Sequence, residues 1–112
     1  MTQEERLEYN IRCAEFLGWG FNEISQRWNE NMLHDYSFVD NDELKFHSDW
    51  NWIMELVEAI GKIKRILISY NHCEIHIYEK DKISICIGRN LTKIAVVEAI
   101  NQFLIWYKTK KP

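Results

Sequence analysis

The stretch RILISYNHCEIHIYEKDKISICI, residues 65–87, decides the fold. It divides into three runs of strand character, Arg65–Tyr70, Cys73–Glu79 and Lys82–Ile87, joined by turns at Asn71-His72 and Lys80-Asp81. In the middle run Cys73, Ile75 and Ile77 alternate with His72, Glu74, His76 and Tyr78. In the last run Ile83, Ile85 and Ile87 alternate with Ser84 and Cys86. A period of two sends alternate side chains to opposite faces, so an antiparallel meander is expected with an isoleucine-rich core face and a polar outer face.

Helical patterns flank these runs. Upstream, Ser48 is the expected N-cap and Asp49 stands in the first turn, where the helix dipole favours a carboxylate. Trp50, Ile53, Met54, Val57 and Ile60 then share one face, and Gly61 is the stop signal. Downstream, Thr92 is the expected cap of a helix in which Ala95, Val96, Ala99, Ile100, Phe103 and Tyr107 form a wide apolar stripe, broadened by Leu104 and Trp106. At the start of the chain, Thr2 and Glu5 have capping-box spacing, Leu7, Ile11, Ala14 and Leu17 make a stripe, and Gly18 and Gly20 end it. Between Trp19 and Trp28 the pattern loosens into short strands or irregular structure, and Asn29 to Lys45, with isolated aromatics at Tyr36 and Phe38, predicts a loop holding at most one brief strand. The expected fold is therefore α+β: a small antiparallel sheet, at least a three-stranded meander, packed against three helices in a single domain over 1–112.

Composition limits function. A formal charge of −3 sets nucleic acid last among partners, because phosphate binding requires clustered Lys and Arg. The basic clusters, Lys62-Lys64-Arg65 and Lys108-Lys110-Lys111, read as a solvated helix end and a terminus. No run approaches the roughly 18 apolar residues of a membrane span, and the opening Met-Thr-Gln-Glu-Glu-Arg lacks a basic, then apolar, leader, so a cytoplasmic protein is expected. Cys13, Cys73 and Cys86 have no framework spacing and read as buried thiols. Aromatic residues make up 13% of the chain, and large amphipathic rings serve cores and binding surfaces alike.

Three constellations carry chemistry. His72, Glu74 and His76 invite a metal reading, but on a strand residues i and i+4 stand about 13 Å apart, so no metal is expected there; with Tyr78 they form a polar face suited to a ligand. His47, Asp49 and Trp50 gather at a helix start, where free backbone N–H groups favour an anion and an indole can stack a base; the competing reading is an ordinary capped helix with core tryptophans. His47 and Asp49 could act as an acid/base pair, yet no nucleophile stands at a telling spacing, so no catalytic residue is assigned. Arg89, in Gly88-Arg89-Asn90, could clamp a phosphate or carboxylate, or be a solvated loop residue.

The stretches FHSDWNWIMELVEAI (46–60) and AINQFLIWY (99–107), with AEFLGW at 14–19, resemble a family of small uncharacterised phage and prophage proteins. The resemblance implies a phage-encoded protein acting in an infected bacterial cytoplasm, and it transfers no catalytic residue or cofactor. Small phage proteins of that kind often act by binding. The expectation is a non-enzymatic accessory protein that counters host defence by sequestering a small nucleotide-type signal through His47, Asp49, Trp50, His76, Tyr78 and Arg89. The alternatives are an inhibitor docked on a host protein through an aromatic patch, and a messenger-degrading enzyme. A sheet with open edges also leads us to expect a homodimer.

Overall fold

A computed structural model of the chain describes residues 1–29, 38–79 and 82–110. Tyr36 and the Lys80-Asp81 turn lie outside the described residues. The fold is α+β, with three α-helices and two three-stranded antiparallel sheets among the described residues. The chain forms two compact units, Met1–His47 and Ser48–Pro112.

The first unit opens with helix α1 (Gln3–Phe16). The Thr2 hydroxyl accepts the Glu5 N–H and the Glu5 carboxylate accepts the Thr2 N–H, each at 3.1 Å, so the capping box forms as its spacing predicts. The helix ends in a Schellman motif: Gly18, at φ +81°, donates its N–H to the Glu15 carbonyl, and Trp19 donates to Ala14. Its buried face is not the expected stripe. Tyr9, Asn10, Cys13 and Ala14 are buried, whereas Leu7, Ile11 and Leu17 are only partly covered. The Tyr9 ring buries more area than Leu7 could, and it brings Cys13, one turn on, inward with it.

The loosely patterned stretch that follows is a hairpin of β1 (Gly20–Asn22) and β2 (Arg27–Asn29), and β3 (Phe38–Asp40), a brief strand within the predicted loop, pairs with β2. The Asn22 side chain accepts the Ile24 and Ser25 N–H groups to make the turn. Phe21 and Trp28 face each other with centroids 4.9 Å apart, and Arg27 is paired with Asp40 at 2.8 Å directly across β2–β3. A 3-10 turn, Asn41–Glu43, leads to the buried Leu44 and Phe46.

The second unit contains α2 (Trp50–Gly61), β4 (Arg65–Ser69), β5 (His72–Glu79), β6 (Lys82–Arg89) and α3 (Thr92–Lys110), with strand order β4-β5-β6. Asp49, not Ser48, is the N-cap of α2, its carboxylate accepting the Asn51 N–H at 2.9 Å. The helix buries Ile53, Leu56 and Ile60 and leaves Met54 exposed, so its apolar face is rotated from the expected one. Thr92 is the first residue of α3 instead of its cap. Its hydroxyl accepts the Asn71 N–H and ties the helix start to the β4–β5 turn, where Asn71 takes the left-handed conformation. Both helices pack on the sheet, and α3 contributes Ala95, Val96, Ala99, Ile100, Phe103 and Leu104 to the core.

The inner face of β5 is Cys73, Ile75 and Ile77, as alternation predicts. On β6 the expectation fails: Cys86 and Gly88 are buried, whereas Ile83 and Ile85 are 63% and 44% exposed. Glu79 pairs with Lys82 across a two-residue connection, so each odd position of β5 faces an even position of β6. With Ile75 inward, Cys86 must follow it and the isoleucines turn outward.

Candidate functional site

Two surfaces bring chemically useful side chains together, one in each unit. In the first, the Tyr9 hydroxyl donates to the Phe46 carbonyl at 3.0 Å and holds the segment after the 3-10 turn against α1. Beside this contact lies a groove of about 760 Å³, bordered by one side of α1 (Thr2, Glu4, Arg6, Asn10) and by Asp42 and His47. The Asn10 amide nitrogen and His47 Nδ1 are 2.9 Å apart. Asn10 is only 3% exposed, and its amide oxygen has no hydrogen-bond partner among the described residues.

Burial, and then the nearby Arg6 charge, hold the His47 pKa below its ordinary 6.5. The ring is therefore neutral at pH 7; Nδ1 accepts from the Asn10 amide and Nε2 carries the proton. The linkage has a definite sign. Between the lowered folded value and 6.5 the unfolded chain binds the proton and the folded chain does not, so stability falls as pH drops below about 6.5. Urea midpoints measured at pH 7.5 and pH 5 are expected to show this fall, and His47→Gln is expected to remove its share of it.

The second surface is the outer face of β4-β5-β6. Its centre is Glu74, whose carboxylate accepts from His72 Nε2 at 2.6 Å and from His76 Nε2 at 3.0 Å, with the Tyr78 hydroxyl 3.5 Å from His76 Nδ1. These bonds, the His72 one first, hold the Glu74 carboxyl below its usual range. The pairing register places Leu67 and Ile87 on either side of Glu74, Arg65 and Ile85 on either side of His76, and Ile83 beside Tyr78. The face is thus a polar Tyr-His-Glu-His line bordered by exposed isoleucines. A carboxylate spans the gap between the two histidines that a single ion could not, and no group of three His, Cys, Asp or Glu side chains among the described residues is arranged to hold a metal.

The residues singled out in the sequence divide between the two units. His47 borders the groove. Asp49 is committed to capping α2, and Trp50, 39% exposed at its first turn, has the Lys93 ammonium 5.8 Å from its ring centroid, which brings the starts of α2 and α3 together. His76 and Tyr78 share the outer face, and Arg89, the last residue of β6, stands opposite His72 on it. Its backbone N–H donates to Glu98 at 3.4 Å. Asn10 and Arg6 were not anticipated. An Asn in a helix interior, where its propensity is poor, was the available signal.

All three cysteines are buried and free, and burial pushes the Cys73 thiol up to about 11. No helix among the described residues is long and apolar enough to cross a membrane. No protein-family model, curated protein or solved structure matches the chain.

Proposed function

We propose that the chain is a non-enzymatic binding protein whose groove beside α1 takes the base-and-sugar end of a small nucleotide-type ligand. The observation that carries this reading is Asn10: a buried amide at the edge of a groove, with one polar atom satisfied by His47 and the other without a partner among the described residues. Buried polar atoms without partners are rare in folded proteins, and an amide is the side chain that reads the donor and acceptor edge of a heterocycle. The groove's volume falls in the range of small-ligand sites. Its charge refines the ligand: Arg6 is one cation against the carboxylates of Glu4 and Asp42, which disfavours a chain of several phosphates. In the phage setting that the sequence resemblance implies, holding such a signal would withdraw it from host defence.

Calorimetry and thermal shift against nucleosides, ADP-ribose derivatives and cyclic oligonucleotides test the proposal. A true ligand at one hundred times its Kd stabilises the fold by about 2.7 kcal/mol. Asn10→Leu is expected to abolish that shift. In the apo protein it removes the unsatisfied oxygen but also the hydrogen bond to His47 Nδ1, and these two effects oppose each other, so the apo stability is expected to change by no more than about 1–2 kcal/mol. Failure of every compound to stabilise the protein at saturation would end the reading.

A second reading, an inhibitor docked on a host protein, is favoured by the outer sheet face, where Leu67, Tyr78, Ile83 and Ile85 are all exposed. Retention of a host protein in a pulldown, lost on Tyr78→Ala, would support it. An enzyme using His47 and Asp49 has the least support, since the Asp49 carboxylate accepts a backbone N–H at the helix start.

A further inference from the structure

The β6 edge of the second unit is covered along only part of its length. From α3, the Gln102 side chain accepts the Ile87 N–H at 3.0 Å and donates to the Ile87 carbonyl at 2.6 Å, and Glu98 accepts the Arg89 N–H. Gln102 thus satisfies Ile87 as a neighbouring strand would. These bonds also establish that the odd residues of β6 direct their backbone groups away from β5. Backbone groups alternate in direction along a strand, so Ile83 and Ile85 direct theirs outward too. Among the described residues no hydrogen bond reaches those groups. The side chains on the same two residues are the exposed isoleucines of the outer face, and Ile105, one helical turn beyond Gln102, is exposed as well. The pairing of β6 with β5 runs without a bulge and β6 contains no proline, so neither of these devices protects the edge along Ile83–Ile85.

We propose that this edge pairs with the same edge of a second copy of the chain, antiparallel, about a two-fold axis through Ser84. An antiparallel edge is complementary to itself, because a two-fold rotation places each N–H against a carbonyl. The Gln102 bonds choose the register. Ile85 opposite Ile85 would bring Ile83 against Ile87, whose backbone groups are already taken. Ile83 opposite Ile83 would leave Ile85 without an opposite residue within Lys82–Arg89. Only Ile83 opposite Ile85, and Ile85 opposite Ile83, lets both residues exchange their N–H and carbonyl bonds. That register also sets isoleucine beside isoleucine across the axis, an apolar match that a polar partner strand would not supply. α3 covers the edge beyond Ile87 and stops the pairing there, so the assembly is a closed dimer with one continuous six-stranded sheet.

Sedimentation equilibrium of the full chain over a concentration series, with oxidative cross-linking, tests this. The expected result is a species of twice the 13.6 kDa chain mass that Ile85→Lys converts to monomer without changing the far-UV circular dichroism. Ile83→Lys is expected to do the same, which guards against a folding defect peculiar to one position. Ser84→Cys is expected to form an intermolecular disulfide under mild oxidation, because a residue on the axis meets its own copy as a non-hydrogen-bonded pair with Cα atoms about 4.5 Å apart. A chain that stays monomeric at all concentrations overturns the proposal. So does a dimer that survives both lysine variants, or one in which Ser84→Cys does not cross-link.

Discussion

Gly88→Ala is expected to lower the stability of the second unit by about 3 kcal/mol or more, the upper range for overpacking a core site. Gly88 is buried on the inner face of β6, opposite Cys73, where α3 crosses the strand. A methyl group there would overlap the Ala95 carbonyl oxygen, and it would lie 2.6 Å from the Ala95 carbonyl carbon and 2.9 Å from its Cα. These are backbone atoms within the first turns of a helix, and no rotamer change can withdraw them. The helix would have to lift from the sheet, and with it Val96, Ala99, Ile100 and Phe103, all of them buried. Gly61→Ala is the control. Its added methyl would meet only Ile66 Cγ2, at an ordinary 3.8 Å, so a change within about 1 kcal/mol is expected there. Urea denaturation of the two variants beside the parent protein checks the contrast.

Gly88 also marks the boundary between what the sequence discloses and what it does not. Read along the chain, Gly88-Arg89-Asn90 looks like a loop, because glycine and asparagine favour turns. In the structure β6 continues through Arg89, and the glycine is required by a helix that approaches from elsewhere in the chain. Features set by neighbouring residues are legible: the capping box of Thr2 and Glu5, the stop at Gly18, and the alternation of Cys73, Ile75 and Ile77 are all as the local pattern predicts. The outward turn of Ile83 and Ile85 is an intermediate case. Once Ile75 is inward, the two-residue connection before Lys82 obliges Cys86 to be inward as well, so the information lay in the turn length and not in the hydrophobicity of β6. The groove beside α1 was not legible at all. It depends on Tyr9 and Asn10 meeting Phe46 and His47, each pair 37 positions apart, through a hydroxyl and an amide that no periodicity reports.

That dependence on one distant contact makes Phe46→Ala the second large effect, with an expected loss of about 3–5 kcal/mol. Phe46 is fully buried, its ring stands 5.2 Å from that of Trp19 at a tilt of 60°, and its carbonyl is the acceptor that fixes the Tyr9 hydroxyl. Deleting the ring leaves a cavity in a unit of only 47 residues. At roughly 0.05–0.15 kcal/mol per residue such a unit holds about 2–7 kcal/mol in all, so the deletion removes most of it. Hydrogen exchange is the measurement that locates the damage. Amides of Tyr9, Cys13 and Trp28 are expected to lose protection, whereas those of Ile75, Ile77 and Ile100, in the core of the second unit, are expected to keep most of theirs. Equal loss in both sets would mean that the units unfold as one. The consequence for function follows directly: His47 is the next residue, and its position beside Asn10 relies on the Phe46 anchor, so the groove is expected to lose its ligand at temperatures where the sheet of the second unit is still folded.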